Sequence, residues 1–371
     1  MDADVDVAIV GAGPAGACAA LNLAPFWRVL LLDRTAVPHD RIGDSLPGAA
    51  RRLLTDMGLW EGFCADPHLP AYARTSVWGD EVPAERDALA DPDGHGWHLD
   101  RARFERRLRA VAAARGARVE APARVVSLTR ERDRWRLEMD LGGARATVRT
   151  QIIVDAAGRG SRLLSAFGAR RRPNDRLICS WMRAHVPGFS NGRLHIEAEA
   201  DGWWYAASLP HGETIVAFHT DADLPVARTV RSAKALRERA SGFAALRELV
   251  ADPAWSNAKT GFCAANGASL ISPIGENWIA VGDAALAFDP LSAQGLFNAL
   301  YTGLAAAETV ERHFRGDAAA FAEYAKEIAA IRDAYERHVA AWYGHGTRWS
   351  AHPFWSRRAM AHALRRQRTR C

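Results

Sequence analysis

Near its start the chain reads VDVAIVGAGPAGACAALNL, from Val5 to Leu23. An apolar run, Val5–Val10, leads into a glycine-rich turn, Gly11–Gly16, and then into a stretch of small residues with helical character. A second apolar run follows at Val29–Leu32. This order of strand, turn, helix and strand is typical of a βαβ unit.

The glycines of this turn predict a dinucleotide site. Gly11 permits the tight turn, Gly13 lets backbone amides approach a pyrophosphate, and Gly16 lets helix and strand pack closely. The helix N-terminus favours an anion beside it. Asp33 ends the second strand roughly 20 residues on, where an acid is expected to bind a ribose hydroxyl.

The rest of the chain alternates between helical and strand patterns. Apolar periodicity predicts helices at 47–59, 101–115, 229–250, 296–314 and 318–342. Alternation over 119–150, with Gly142-Gly143 as a turn, predicts a small β-meander, and 152–154 is expected to return a strand to the main sheet. β-branched and aromatic segments within 176–263 predict a separate antiparallel sheet.

These patterns predict an α/β protein in which one domain is interleaved with another. We expect the Rossmann-like nucleotide-binding domain to comprise residues 1–70, 96–172 and 266–315. The antiparallel-sheet substrate domain would comprise 71–95 and 173–265, and 316–371 would form a C-terminal helical segment.

Composition narrows the class of protein. A chain of 371 residues, 49% hydrophobic, can bury one large core or two moderate ones. Its acidic first residues have the wrong charge for a secretory leader, and no apolar run reaches membrane-spanning length. The five scattered cysteines lack metal-ligand spacing. We therefore expect a reduced, cytoplasmic protein with no membrane span and no bound metal.

The C-terminal segment from Arg337 to Cys371 carries eight arginines and no acidic residue. Trp342, Trp349, Phe354 and Trp355 are interspersed among them. A solvated terminal helix is the simpler interpretation, because charge runs usually lie on solvated faces. Docking of an acidic or peptidic partner is the alternative, and nucleic acid is not favoured.

Two further motifs distinguish FAD from other dinucleotides. VDAAGRGSR at 154–162 and AVGDAA at 280–285 resemble the second and third fingerprints of the class A flavoprotein monooxygenases. DPLSAQGLFN at 289–298 resembles the loop and helix start that this family places beside the isoalloxazine ring. A helix N-terminus is suited to stabilise negative charge on reduced flavin. The resemblance covers nearly the whole chain and implies bound FAD.

Within that superfamily, RIGDSLP at 41–47 and GWHLDR at 96–101 are similar to segments of the flavin-dependent halogenases and their non-halogenating relatives. The resemblance places Arg101 at the FAD phosphates, with Arg41 and Ser45 near the cofactor. The complete set of expected FAD-binding residues is Gly11, Gly13, Pro14, Ala15, Gly16, Asp33, Arg34, Arg41, Ser45, Arg101, Asp155, Gly158, Gly282, Asp283, Pro290, Gln294, Gly295 and Leu296.

Halogenation is judged improbable on two departures from the halogenase pattern. The segment that carries the catalytic lysine in halogenases holds Arg74 here and no lysine. The loop that reads Pro-Leu-Glu-Ser-Thr-Gly in halogenases reads PLSAQG at 290–295. The chain is therefore closer to hydroxylase-like relatives.

A finer resemblance concerns the substrate. The Trp203-Trp204-Tyr205 strand and the aromatic C-terminus are similar to flavoproteins that modify tryptophan in precursors of quinone-bearing amine oxidases and dehydrogenases. This implies a tryptophan-containing protein substrate, with a small aromatic molecule as the alternative. His98, His219 and Trp204 are the candidate catalytic residues, and His195 is a further candidate. The three histidines are candidates by residue type alone.

The implied reaction is hydroxylation of an electron-rich ring by way of a flavin C4a-hydroperoxide, which requires O₂ and an external reductant. No second glycine fingerprint for NAD(P)H is present, so either transient nicotinamide binding or a separate flavin reductase would reduce the flavin. A reductase of isoprenoid double bonds, a dehydrogenase or oxidase, and a non-catalytic docking module remain alternatives.

Overall fold

The computed structural model describes residues 2–39, 41–186 and 192–368. Residues 187–191, where part of the substrate domain was expected, lie outside the described residues. Among those that are described, no helix combines the length and apolar character that a membrane span requires.

The central sheet of the first domain is mostly parallel, with strand order β19–β20–β11–β1–β2–β8. Its strands are β1 (Asp2–Val10), β2 (Val29–Leu32), β8 (Arg118–Glu120), β11 (Ala144–Asp155), β19 (Ile274–Gly275) and β20 (Trp278–Ala280). Ile9 and Leu31 are fully buried, as expected where helices cover both faces of a sheet. Segments distant in sequence therefore supply the strands of this one sheet.

The predicted meander is present and is continuous with this sheet. Strands β9 (Arg124–Glu131) and β10 (Arg134–Leu141) pair antiparallel with the first half of β11, and Gly142-Gly143 forms the last turn. The second half of β11 pairs with β1 and β20. The strand expected separately at 152–154 is therefore the end of one long strand.

The second domain is built on a seven-stranded sheet, ordered β17–β13–β16–β15–β14–β5–β6. Its strands are β5 (Ala73–Val77), β6 (Ala84–Asp87), β13 (Leu177–His185), β14 (Arg193–Glu199), β15 (Gly202–Ser208), β16 (Glu213–Asp221) and β17 (Lys259–Ala264). All neighbours are antiparallel except β14 and β5, which pair parallel because β5 enters from a distant segment.

Two small sheets connect the domains. One contains β3 (Ser45–Leu46), β4 (Leu69–Ala71) and β7 (Gly96–His98). The other contains β12 (Arg171–Pro173), β18 (Ala268–Leu270) and β21 (Leu286–Ala287). Both lie at points where the chain passes from one large sheet to the other.

The described helices are α1 (Pro14–Leu23), α2 (Ala50–Asp56), α3 (Trp60–Cys64), α4 (Arg101–Ala114), α5 (Val226–Thr229), α6 (Ala233–Ala240), α7 (Ala244–Ala251), α8 (Gly295–Phe314), α9 (Ala320–Gly344) and α10 (Pro353–Arg368). The expected helix at 47–59 ends early because Gly58 adopts a positive φ. The single stretch expected at 229–250 is divided into α6 and α7, with α5 ending at its first residue, and Ser232 caps α6.

The C-terminal segment packs on its own chain, which neither interpretation of its charge anticipated. Phe354 and Trp355 are 0% and 2% exposed within the second domain. Arg357 and Arg358 contact Asp221, and Arg357 also contacts Asp223. Aromatic side chains and acidic partners on the second domain therefore hold α10 in place.

Candidate functional site

The turn after β1 is closely packed at two of its three glycines. A Cβ on Gly11, where φ is +105°, would lie 2.2 Å from the Ala156 carbonyl oxygen. A Cβ on Gly16 would lie 1.9 Å from the Gly11 oxygen. A Cβ on Gly13 would meet nothing within 4 Å. Backbone contacts therefore require glycine at Gly11 and Gly16, whereas Gly13 faces open space.

The first turn of α1 borders that open space. Its N-cap, Gly13, has no side-chain cap, and Pro14 stands at the first helical position. Since the first amides of a helix have no partners within it, those of Ala15 and Gly16 suit a phosphate.

Asp33 lies beside this turn with its carboxylate already oriented. The Ala12 amide donates to Oδ2 at 2.8 Å, and the Thr35 amide donates to Oδ1 at 2.8 Å. Arg109 approaches Oδ2 at 3.0 Å. Burial by itself would raise the pKa of Asp33, but hydrogen bonds from Thr35 and the charge of Arg109 lower it. The side chain is therefore an anionic acceptor.

Arg109 was not among the residues expected from the sequence. Its guanidinium also donates to the Ala12 carbonyl oxygen at 2.8 Å and to the Thr35 carbonyl oxygen at 3.0 Å. The signal available was its position in α4, on the same stripe as buried Glu105, Leu108 and Ala112. An arginine on a buried face needs a partner, and Asp33 provides it.

Three arginines surround Asp283, at the end of the third fingerprint. Arg159 approaches its carboxylate at 3.3 Å, and Arg171 donates to its carbonyl oxygen at 3.2 Å. Burial raises the pKa of Asp283, and the charges of Arg159, Arg101 and Arg171 oppose that shift. Arg101 itself donates to the Gly43 carbonyl oxygen and to Glu105, while its Nε has no partner among the described residues.

Four other predicted FAD-binding residues either contact other parts of the chain or have no contact that points to the cofactor. Asp155 uses its oxygens on its own loop, accepting from the Ala157 amide at 3.0 Å and from Ser161 Oγ at 2.7 Å. The Ser45 hydroxyl lies 3.2 Å from Tyr205 Oη and so joins the two domains. Arg41 is half-buried and Arg34 is exposed. Their contacts with a cofactor remain predictions.

The loop before α8 is anchored from behind by α9. Asp289 accepts hydrogen bonds from the Leu291 amide at 2.9 Å and from Tyr343 Oη at 2.8 Å. Tyr335 Oη accepts from the Asp289 amide at 2.7 Å. Burial, together with the charge of Asp175, raises the pKa of Asp289 to about 6. These bonds hold the segment containing Pro290 in a single short turn.

Beyond this turn, α8 begins beside open space. Gln294 is exposed at the N-cap and makes no side-chain cap, and a Cβ on Gly295 would meet nothing within 4 Å. Leu296, 7% exposed, faces the core. Gly282 donates its amide to Thr302 Oγ1 at 2.8 Å, which joins the third fingerprint to α8.

One face of the seven-stranded sheet meets these motifs. Directly paired residues on neighbouring strands share a face, and the pairing aligns Cys263, Cys179, His219 and Trp203 in one row. Tyr205 lies two residues after Trp203 and so shares this face, which we call the inner face. Tyr205 contacts Ser45 of the first domain, and Trp203 Nε1 donates to Tyr343 Oη at 3.2 Å.

The three candidate catalytic residues occupy different environments. His219 stacks on Trp203 with ring centroids 3.7 Å apart, and burial lowers its pKa to about 3. Trp204 is fully buried on the opposite face, where its Nε1 donates to Glu199 at 3.1 Å. His98, 1% exposed, has no partner for either ring nitrogen among the described residues, and burial lowers its pKa to about 4.

His195, the further candidate histidine, pairs with Glu197 at 2.9 Å on the face away from the first domain. Among the described residues, no group of three or more His, Cys, Asp and Glu side chains could hold a metal ion. One cavity of about 260 Å³ lies between α8 and α9, and another of about 320 Å³ lies beside α4. Residues of the seven-stranded sheet line neither of them.

The residues around the turn fit FAD. An anion-binding helix start, an oriented ribose acceptor at Asp33 and a group of arginines at Asp283 lie in the order that a dinucleotide needs. The buried Nε of Arg101 without a partner and the open space at Gly13 and Gly295 are the features that a cofactor would complete.

Comparisons with known proteins agree with this fit. The family model described as FAD binding domain matches residues 4–337. LodB of Marinomonas mediterranea, named as an FAD-dependent oxidoreductase, is 27% identical over 365 residues, covering 97% of this chain and 98% of LodB. The menaquinone reductase of Mycobacterium tuberculosis is 28% identical over 332 residues, covering 84% and 78%.

Solved structures share the fold. The myxobacterial chondrochloren halogenase CndH superposes with a TM-score of 0.85 at 22% identity, covering 96% of this chain and 86% of CndH. The peptidyl tryptophan dihydroxylase QhpG superposes with a TM-score of 0.79 at 24% identity, covering 96% and 79%. The predicted fold class and the predicted family are thereby confirmed: the chain belongs to the FAD binding domain family and is an FAD-dependent oxidoreductase.

Proposed function

We propose that the chain is a monooxygenase that hydroxylates an aromatic ring, with a tryptophan side chain of another protein as its substrate. The observation that carries this proposal is the inner face of the sheet, which presents aromatic side chains toward the FAD motifs. Trp203 and Tyr205 of β15 lie there, and Trp181 of β13 lies on the same face two strands away, with β16 between them. Aromatic walls suit an aromatic substrate ring.

In this proposal, bound FAD would supply the activated oxygen, and the chain would position the substrate ring and exclude water. Tyr205 and Ile42 pack together with Trp181 at the junction of the domains. Such a junction excludes water and holds a flat ring in one orientation. The source of electrons, NAD(P)H directly or a separate flavin reductase, belongs to the proposal, as does a cytoplasmic location.

His98 is proposed as the group that accepts the substrate proton. Neither ring nitrogen has a partner among the described residues, and His98 is the register partner of Ser45, whose hydroxyl lies beside Tyr205 at the junction of the domains. Burial lowers the pKa of His98 to about 4, so the imidazole is neutral near pH 7 and accepts as a weak base. His219 and Trp204 are less suited, because the first is stacked on Trp203 and the second is bonded to Glu199.

The peptidyl substrate is supported by one comparison, and one sequence feature disfavours halogenation. QhpG, by its title, is a peptidyl tryptophan dihydroxylase needed for tryptophylquinone cofactor biogenesis, and it shares the fold. The arginine that replaces the halogenase lysine argues against the halogenase branch, to which CndH belongs.

The test is anaerobic reduction of the FAD-loaded protein followed by mixing with ¹⁸O₂, with and without a tryptophan-containing peptide. We expect a peptide product that carries ¹⁸O and less hydrogen peroxide when peptide is present. Stoichiometric peroxide and unlabelled peptide under every condition would overturn the proposal.

His98→Gln separates the proton acceptor from the rest of the site. We expect at least a ten-fold loss of product, with FAD affinity close to that of the unsubstituted chain. His195→Gln is the matched control, since His195 lies on the far face of the sheet, and it should leave turnover unchanged. Equal losses in both variants would remove His98 from the mechanism.

A reductase is the second candidate, favoured by the menaquinone reductase relative. It predicts that the reduced protein is reoxidised anaerobically by a quinone with an isoprenoid side chain. A dehydrogenase or oxidase would instead turn over without any external reductant. Both outcomes are distinguishable from ¹⁸O incorporation.

A further inference from the structure

Two cysteines of the inner face lie directly opposite each other on neighbouring strands. Cys179 of β13 and Cys263 of β17 are register partners, and both are free thiols. Opposed residues of an antiparallel pair have Cα atoms about 4.5 or 5.5 Å apart, according to whether the pair exchanges hydrogen bonds. A disulfide spans Cα separations of about 4.4–6.8 Å, a range that includes opposed strand positions.

The surroundings of the two thiols differ. Cys179 is fully buried, whereas Cys263 is half-buried on the edge strand of the sheet. A hydrogen bond from Cys179 lowers the pKa of the Cys263 thiol, and the charge of Arg159 lowers it further. Burial raises the pKa of Cys179. Cys263 therefore has the more accessible and more acidic thiol, and Cys179 is held beside it.

The other described cysteines have no such partner. Cys18 is buried in α1 next to Met57, 3.3 Å from its sulfur, and burial raises its pKa to about 12. Cys64 is exposed at the end of α3. Neither lies opposite a second thiol in the described sheets.

We propose that Cys179 and Cys263 form a redox-active dithiol that hydrogen peroxide closes into a cross-strand disulfide. The Cys263 thiolate attacks the peroxide O–O bond, which yields a sulfenic acid and releases hydroxide. The Cys179 sulfur then attacks the Cys263 sulfur, forming the S–S bond and releasing water. In sum, two thiols and one H₂O₂ give one disulfide and two H₂O.

This site goes beyond the oxygenation of a substrate ring and does not depend on it. Arg159 of the second fingerprint contacts Asp283 and donates to the carbonyl oxygen of Asn266, three residues after Cys263, so the end of the strand that carries Cys263 lies beside the FAD motifs. Peroxide released by any reduced flavin that reacts with O₂ unproductively would form near this pair. We infer that the pair consumes such peroxide at the inner face.

The experiment is a peptide map of the full-length, FAD-loaded protein after reduction, removal of the reductant and exposure to a few equivalents of H₂O₂. Remaining thiols are alkylated, and the digest is analysed without reductant. We expect a linked pair of peptides containing Cys179 and Cys263, two hydrogens lighter than their sum, which dithiothreitol separates again.

Variants assign the roles of the two sulfurs. In Cys179→Ser, Cys263 should be trapped by dimedone as a sulfenic acid, whereas Cys64→Ser should give the same linked peptides as the unsubstituted chain. The map of the unsubstituted chain decides by itself, whether or not a variant folds. If both cysteines remain alkylatable while Cys64 is oxidised, or if they reach sulfinic acid without linkage, the proposal is wrong.

Discussion

At the scale of single residues, the glycine turn shows that one residue type serves two purposes. Gly16 is needed where the helix packs closely on the strand, because its missing Cβ leaves room for the Gly11 oxygen. Gly13 has open space beside it, which suits the approach of a pyrophosphate to the backbone. The two requirements can be separated by experiment.

We expect Gly13→Ala to fold with the unfolding temperature of the unsubstituted apoprotein and to bind FAD at least ten-fold more weakly. Gly16→Ala should instead lower the stability of the apoprotein by about 2 kcal/mol or more, because the new methyl overlaps backbone. Thermal unfolding without FAD and fluorescence titration with FAD provide the two readouts. Equal effects on stability would show that Gly13 is a packing glycine.

Asp289 gives a prediction of pH dependence at the same scale. Its pKa is raised from 3.8 to about 6, so the folded chain binds this proton more tightly than the unfolded chain. The contribution of Asp289 to the free energy of unfolding is present in full below the pKa that this group has in the unfolded chain. Up to roughly 3 kcal/mol of it is lost as pH rises through about 6.

Asp289→Asn should remove that dependence, since the amide does not ionise. The measurement is the difference in unfolding free energy between the unsubstituted chain and this variant, from pH 4 to 7. We expect the difference to favour the variant increasingly as pH rises, whereas the exposed control Asp56→Asn should show no trend. A flat difference for Asp289→Asn would contradict the assignment.

At the scale of elements, α10 is attached by one buried ion pair and two aromatic side chains. Arg358 donates to both oxygens of Asp221, at 2.9 and 3.2 Å, and stacks over Phe354 at 3.6 Å. Trp355 Nε1 donates to the Glu199 carbonyl oxygen at 2.8 Å. The helix thereby closes the second domain behind Tyr343 and the turn at Asp289.

Arg358→Met should cost about 3 kcal/mol, because it leaves the buried Asp221 with a weaker partner. Arg337→Met, at an exposed position of the same basic segment, should cost less than about 0.5 kcal/mol. Chemical denaturation of both variants checks this. If Arg358→Met and Arg337→Met had similar free energies of unfolding, Arg358 would be a solvated arginine like Arg337.

At the scale of the whole molecule, a contact beside the predicted FAD site joins the two domains. Ser45 contacts Tyr205 across the junction, while Arg159 joins distant segments of the first domain through Asp283 and the carbonyl oxygens of Asn266 and Phe288. We expect binding of FAD to stabilise one cooperative unit.

FAD at 100 times its dissociation constant should add about 2.7 kcal/mol and raise the unfolding temperature by several degrees in a single transition. Differential scanning calorimetry of the apoprotein, the FAD-loaded protein and Gly13→Ala at the same FAD concentration tests this. Two transitions, of which FAD moves only one, would show that the domains unfold independently.

The local sequence was sufficient wherever a short pattern carries the physics. The order of strand, turn and helix around Gly11 and the meander turn at Gly142 depend on neighbouring residues alone, and the structure contains both. Ordered fingerprints also identified the family and its cofactor, because pyrophosphate binding imposes fixed spacing.

Tertiary structure decided what depends on contacts between distant segments. Arg109 meets Asp33, Tyr343 meets Asp289, and Cys179 faces Cys263, each across 54 to 84 residues of chain. No local period encodes such pairings. The two faces of β15 likewise look equivalent in sequence, and only packing placed Trp203 toward the first domain and Trp204 away from it, because alternation assigns opposite faces without saying which is inner.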